Sequence, residues 1–108
     1  MIRVLILRDD HGHYKGFHIE GHAGYAGYGE DIVCSAVSVL AINTVNAIEN
    51  FTEDAFTCVP DEETGLIRVD FPEELSHDAQ LLVRTMVQGL VSMEESYSDH
   101  IHVEIKEV

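Results

Sequence analysis

The spacing of apolar residues changes period several times along this chain, and that alternation limits its fold more than any other feature. A period of two marks strands, and a period near 3.6 marks helices. Ile2 to Arg8 is strand-like and almost continuously apolar at its centre. Asp9-Asp10-His11-Gly12-His13 reads as a polar turn. Tyr14 to Glu20 alternates, with Phe17 and Ile19 on one side and His18 and Glu20 on the other. From Ile32 to about Asn50 the period is helical, with Val33, Val37, Leu40, Thr44 and Ile48 in one stripe flanked by Ala36, Ala41 and Val45. Ala55 to Pro60 and Gly65 to Phe71 read as a hairpin around residues 61–64. A second helix is predicted from Ser76 to about Tyr97. Its stripe is Ala79, Leu82, Met86, Leu90 and Met93, widened by Val83 and Val87 and weakened slightly by Gly89. Ile101, Val103 and Ile105 mark a last strand.

The order β-β-α-β-β-α-β predicts a two-layer α+β domain, in which a mixed, largely antiparallel sheet packs against two long helices. A length of 108 residues suits a single domain over 1–108, and 45% apolar residues supply its core. Strand order is not fixed by these patterns.

Charge narrows the partners. The chain carries 20 acids against 6 bases, a net charge of −14, and ten of the acids fall between Glu49 and Asp78. Nucleic-acid binding needs the opposite sign, so no direct nucleic-acid contact is expected. The acidic surface keeps the protein soluble, or attracts a basic protein. No apolar stretch is expected to reach the length of a membrane span, and the early charges argue against a signal peptide. The expected location is the cytosol, with both cysteines reduced. Cys58, in Phe56-Thr57-Cys58-Val59, reads as a small core or strand residue.

The chemistry concentrates between the second strand and the first helix. Gly21, Gly24, Gly27 and Gly29 make a glycine-rich loop, opened by His22 and followed by Cys34. Asp31 reads as the N-cap of the helix, which makes Cys34 the third helical residue. The partial positive charge of a helix start favours the reactive thiolate, while Glu30 and Asp31 oppose it. A Cys34–His22 pair titrating together removes that conflict, with Asp31 orienting the imidazolium. Ser38, one turn after Cys34, either shapes the pocket or makes room at a packing contact. Free N–H groups at the helix start offer part of an oxyanion hole, and the set then describes hydrolysis of a peptide bond through a thioester. Three alternatives stand beside it: Cys34 as a core residue, a metal site using His11, His13, His18 and His22, and a non-catalytic acidic adaptor that binds a basic protein. No Cys-x-x-Cys or His-Glu-x-x-His spacing supports the metal, and no cofactor is expected.

The stretch Gly21-His22-Ala23-Gly24-Tyr25-Ala26, followed by Gly29-Glu30-Asp31-Ile32-Val33-Cys34-Ser35-Ala36-Val37-Ser38, resembles the ribosomal-processing cysteine protease family Prp over the whole chain. Ser35 stands where many members have alanine. The resemblance implies a homodimeric α+β cysteine endopeptidase. It implies removal of the N-terminal extension of a basic large-subunit bacterial ribosomal protein, the twenty-seventh, with cleavage after a phenylalanine. It implies Cys34 as nucleophile, His22 as acid and base, and Asp31 and Ser38 in supporting positions. Gly24, Tyr25, Gly27, Tyr28 and Gly29 become a loop that gates the substrate.

Overall fold

In the computed structural model the elements follow the expected order. They are β1 (Ile2–Arg8), β2 (Tyr14–Glu20), α1 (Tyr28–Phe51), β3 (Thr57–Asp61), β4 (Leu66–Asp70), α2 (His77–Ser96) and β5 (Ile101–Glu107). The structure describes residues 1–21, 28–61 and 66–108, and residues 28–31, 61 and 66 by their backbone alone.

The five strands form one mixed sheet in the order β3-β4-β2-β1-β5. β1 pairs antiparallel with β2 and parallel with β5, while β4 pairs antiparallel with β2 and with β3. The turn between β1 and β2 forms because the Asp9 carboxylate accepts from the N–H groups of His11 and His13, each at 2.9 Å, and Gly12 takes a φ of +82°. The Gln80 side chain on α2 ties that turn down, donating to the Gly12 carbonyl at 2.8 Å and accepting from the Tyr14 N–H at 3.3 Å.

Both helices lie on one face of the sheet, over Ile2, Val4, Ile6, Phe17, Ile19, Val69 and Ile101. On α1 the buried line is Val33, Val37, Ala41, Thr44 and Ile48. Ala41 therefore sits at its centre and Leu40 on its edge, where its methyls face Gly89 of α2. Thr44 is tolerated there because its hydroxyl donates to the Leu40 carbonyl at 2.7 Å. On α2 the buried residues are Ala79, Val83, Met86, Val87 and Leu90. Leu82 and Met93, expected in the central stripe, are half-buried at its margins.

Two expectations need correcting. The segment Ile32–Phe51 is long and apolar enough, by length and composition, to cross a membrane. Its interspersed Ser, Thr and Asn residues carry no charge, and Glu49 is its one charged side chain. In this fold one side of the segment lies in the core, while Ile32, Val39, Ile42 and Phe51 are exposed. Cys58, expected in the core, is exposed instead. β3 is an edge strand, so although Cys58 shares a sheet face with its register partner Val69, no helix covers it.

Candidate active site

The second strand delivers the chain to a fixed point. Gly21, directly after β2, has a φ of +127°, and a Cβ there would lie 2.6 Å from the Met1 carbonyl oxygen and 2.8 Å from the Ile2 Cα. Only glycine fits both the dihedral and the space. His22 follows at once in sequence. His22, Gly24, Tyr25 and Gly27 lie outside the described residues, so the expected Cys34–His22 contact and most of the gating loop do too.

α1 begins at Tyr28, earlier than the sequence suggests. Asp31 is therefore inside the first turn and is not the N-cap, and Tyr28 and Gly29 belong to the helix and not to the loop. Glycine costs a helix only about 1 kcal/mol, which one residue near a terminus bears easily. Cys34 becomes the seventh helical residue instead of the third. Its own N–H then falls within the hydrogen-bonded ladder, and the unpaired N–H groups lie about one turn earlier. The helix dipole acts mainly within the first turn, so it contributes less at Cys34 than the sequence implied. An acid in the first turn still complements that dipole.

Cys34 and Ser38 are both half-buried. At about 100° per residue they lie 120–160° round α1 from Leu40, roughly opposite the flank that faces α2. α2 packs near β5, so the Cys34–Ser38 flank looks out over the β4–β3 half of the sheet. Phe56 and Ile67 lie against the core on that side. A thiol on this flank is anchored by the core yet unroofed by the second helix.

The second cysteine differs. Desolvation by the surrounding strand pushes the Cys58 thiol up from its ordinary value although the residue is exposed. At neutral pH it is a protonated, weakly nucleophilic thiol. Both cysteines are free.

Among the described residues no group of three His, Cys, Asp or Glu side chains is placed to hold a metal. Those of the histidines considered as ligands that are described have other partners. His13 Nδ1 lies 2.9 Å from Glu74, and His18 Nε2 lies 3.2 Å from Asp70. Partial burial works to raise the Asp70 carboxyl, but the bonds and charges of Arg68 and His18 outweigh it and hold it below its ordinary value. Sequence reasoning missed the steric role of Gly21, which it treated as one flexible loop glycine among four. Its position directly after a strand was the available signal.

Five mixed strands under two helices, with a half-anchored thiol on the open flank of the first helix, define a small α+β domain with a candidate nucleophile. Comparison with known proteins gives the class. The sequence model of the cysteine protease Prp family matches residues 1–102. A ribosomal processing cysteine protease Prp from Staphylococcus aureus is 32% identical over 106 residues, covering 98% of this chain and 100% of that protein. A crystal structure of the essential S. aureus protease with a substrate peptide superimposes with a TM-score of 0.92 at 31% identity, covering 98% of this chain and 100% of the other. A second, with a covalently linked product peptide, gives a TM-score of 0.89 at 32% identity over the same shares. The chain belongs to the Prp family and is a cysteine protease, which sets aside the adaptor reading.

Proposed function

We propose that this protease processes a ribosomal protein with Cys34 as nucleophile and His22 as acid and base. The observation that carries the assignment is the placement of Cys34. It is held by the core on the flank of α1 that α2 leaves open, while Cys58 sits on an edge strand with its thiol pushed up. The S. aureus relative with a covalently linked product peptide supports a covalent route.

In this reading Cys34 Sγ attacks the scissile carbonyl carbon and its proton passes to His22. His22 then protonates the leaving amine as the C–N bond breaks. Water, deprotonated by His22, attacks the thioester, releases the carboxylate product and restores the thiol. Asp31 and Ser38 support the site from the same helix. The loop residues Gly24, Tyr25 and Gly27, with Tyr28 and Gly29 at the helix start, admit and cover the substrate. The substrate is the N-terminal extension of the twenty-seventh large-subunit ribosomal protein, cut after phenylalanine. A net charge of −14 steers so basic a protein toward the enzyme. The enzyme works in the cytosol as a homodimer.

Incubation with a peptide spanning that extension, followed by mass measurement, tests the reading. One cut after phenylalanine that is lost in both Cys34→Ala and His22→Ala supports it. Cleavage that persists in folded Cys34→Ala overturns the assignment of the nucleophile.

A further inference from the structure

A sheet edge offers unpaired N–H and C=O groups to an added strand, and proteins blunt it with proline, charge or a cover. Here the edge strands are β3 and β5. In β4 the odd residues face β2, since the Phe71 N–H donates to the Lys15 carbonyl at 3.0 Å. The even ones therefore face β3, so Cys58 and Pro60 point their backbone outward. Pro60 thus puts a residue with no N–H on that edge. In β5 the even residues face β1. The His100 carbonyl accepts from the Ile2 N–H at 2.9 Å and the Val108 N–H donates to the Arg8 carbonyl at 3.0 Å, with no register shift between them. The backbone groups of Ile101, Val103, Ile105 and Glu107 therefore point outward. The Tyr97 carbonyl takes the Ile101 N–H at 3.2 Å, and the Glu94 carboxylate takes the Val103 N–H at 2.5 Å. Among the described residues nothing takes the N–H of Ile105 or Glu107. The cover of α2 also thins along the strand, from buried Ile101 through half-buried Val103 to Ile105, which is 43% exposed. One stretch of edge is thus left open.

Beside that stretch lies a concavity of about 320 Å³, lined by Arg8, Asp9, Asp10, Gly12, Ile105 and Glu107. It has one apolar wall, and its acids outnumber its base. Asp9 is held by its own turn, bonded to the N–H groups of His11 and His13. Glu107 forms no ion pair among the described residues. We infer that the edge from Val103 to Glu107 docks an extended segment of the basic substrate protein, added to the sheet beside β5. The Val103 carbonyl, both backbone groups of Ile105 and the Glu107 N–H supply the ladder. Side chains level with each other on neighbouring strands share a face. The residue opposite Ile105 therefore packs an apolar side chain on it. The one two positions along, opposite Glu107, reaches the acids of the concavity with a Lys or Arg. An acidic segment is repelled there by a chain of net charge −14. Ile105 and Glu107 lie level with Ile6 and Arg8, where β1 ends, whereas Gly21, which leads into His22, packs on Met1 and Ile2, where β1 begins. The docked segment is therefore remote from the bond being cut, and it serves capture of the substrate, not the chemistry.

This docking edge rests on the reading of the substrate as a basic ribosomal protein, but its test needs no cleavage. The probe is that ribosomal protein already lacking its extension, so that nothing is left to occupy the catalytic cleft. Calorimetry measures its binding to the wild type, Ile105→Pro, Glu107→Lys and Glu49→Lys at one ionic strength, and circular dichroism checks each fold. Ile105→Pro removes an outward N–H and leaves the ladder to β1 intact, as Pro60 does on the other edge. Glu107→Lys keeps the backbone whole and decides the matter should the proline variant misfold. The wild type binds the probe, and both β5 variants weaken it at least about tenfold. Glu49→Lys makes the same change of charge on exposed α1 and weakens binding less than about threefold. All four proteins cut the short extension peptide at rates within about twofold of one another. A wild type that does not bind the probe overturns the docking edge. So does binding indifferent to Glu107→Lys, an equal loss in Glu49→Lys, or a fall in peptide cleavage in Glu107→Lys. Failure of the wild type to cut the extension peptide overturns the proposed substrate instead, and the binding series still decides the edge.

Discussion

Asp54 accepts two hydrogen bonds of 2.6 Å from Ser76, one from its N–H and one from its hydroxyl. The same hydroxyl caps α2 by accepting from the Ala79 N–H at 3.2 Å. One carboxylate thus ties the segment after the first helix to the start of the second.

Asp54→Ala is expected to cost about 1–2 kcal/mol, since it removes a charge-assisted pair of bonds and loosens a cap. Partial burial works to raise the Asp54 carboxyl, but the Ser76 bonds prevail and its value is lowered in the folded state. The sign follows. The contribution is complete above the unfolded value of about 3.8 and is lost as pH falls below it through the folded value. Thermal melts of wild type and Asp54→Ala at neutral pH and near pH 3 measure both effects; the gap should narrow in acid.

Gly21→Ala should destabilise the protein by roughly 1 kcal/mol or more, because alanine fits neither the φ of +127° nor the space beside Met1. Peptide cleavage should fall as well, since the displaced residue immediately precedes His22. An unchanged melting temperature would show that the strand end rearranges freely.

The two cysteines should separate cleanly. Cys58→Ser leaves turnover within about twofold, whereas Cys34→Ala lowers it by at least about a thousandfold. Peptide cleavage followed by mass spectrometry reads both.

Gly89→Ala in α2 should raise stability slightly, by up to about 1 kcal/mol, through helix propensity. A Cβ there would lie 3.3 Å from a methyl of Leu40, the far end of a half-buried side chain that can shift a few tenths of an ångström. Chemical denaturation decides the sign. Destabilisation would mean that the packing between the helices is too tight to yield.

The first two strands were legible to the residue because polar or glycine positions bound them, although β1 is almost continuously apolar at its centre and the burial of β2 breaks step at Gly16–Phe17. The start of α1 was obscured because Gly29 reads as a loop residue although its backbone is helical. The centre of the α1 stripe depends on where α2 lies, and this moved it from Leu40 to Ala41. The exposure of Cys58 follows from β3 being outermost, and strand order depends on partners distant in sequence. At the site, Cys34 was legible as a residue on a helix behind glycines. Its depth within that helix was not, because it turns on the same misplaced start.

The parallel pairing of β5 with β1 joins residues 2–8 to residues 101–107, nearly the full length of the chain apart. Such a contact closes the longest loop in the molecule and belongs to the slow end of folding. During synthesis β1 and β2 can pair early, but one edge of β1 stays bare until the last strand leaves the ribosome. Completion of the sheet therefore waits on β5, the last of the five strands to be made.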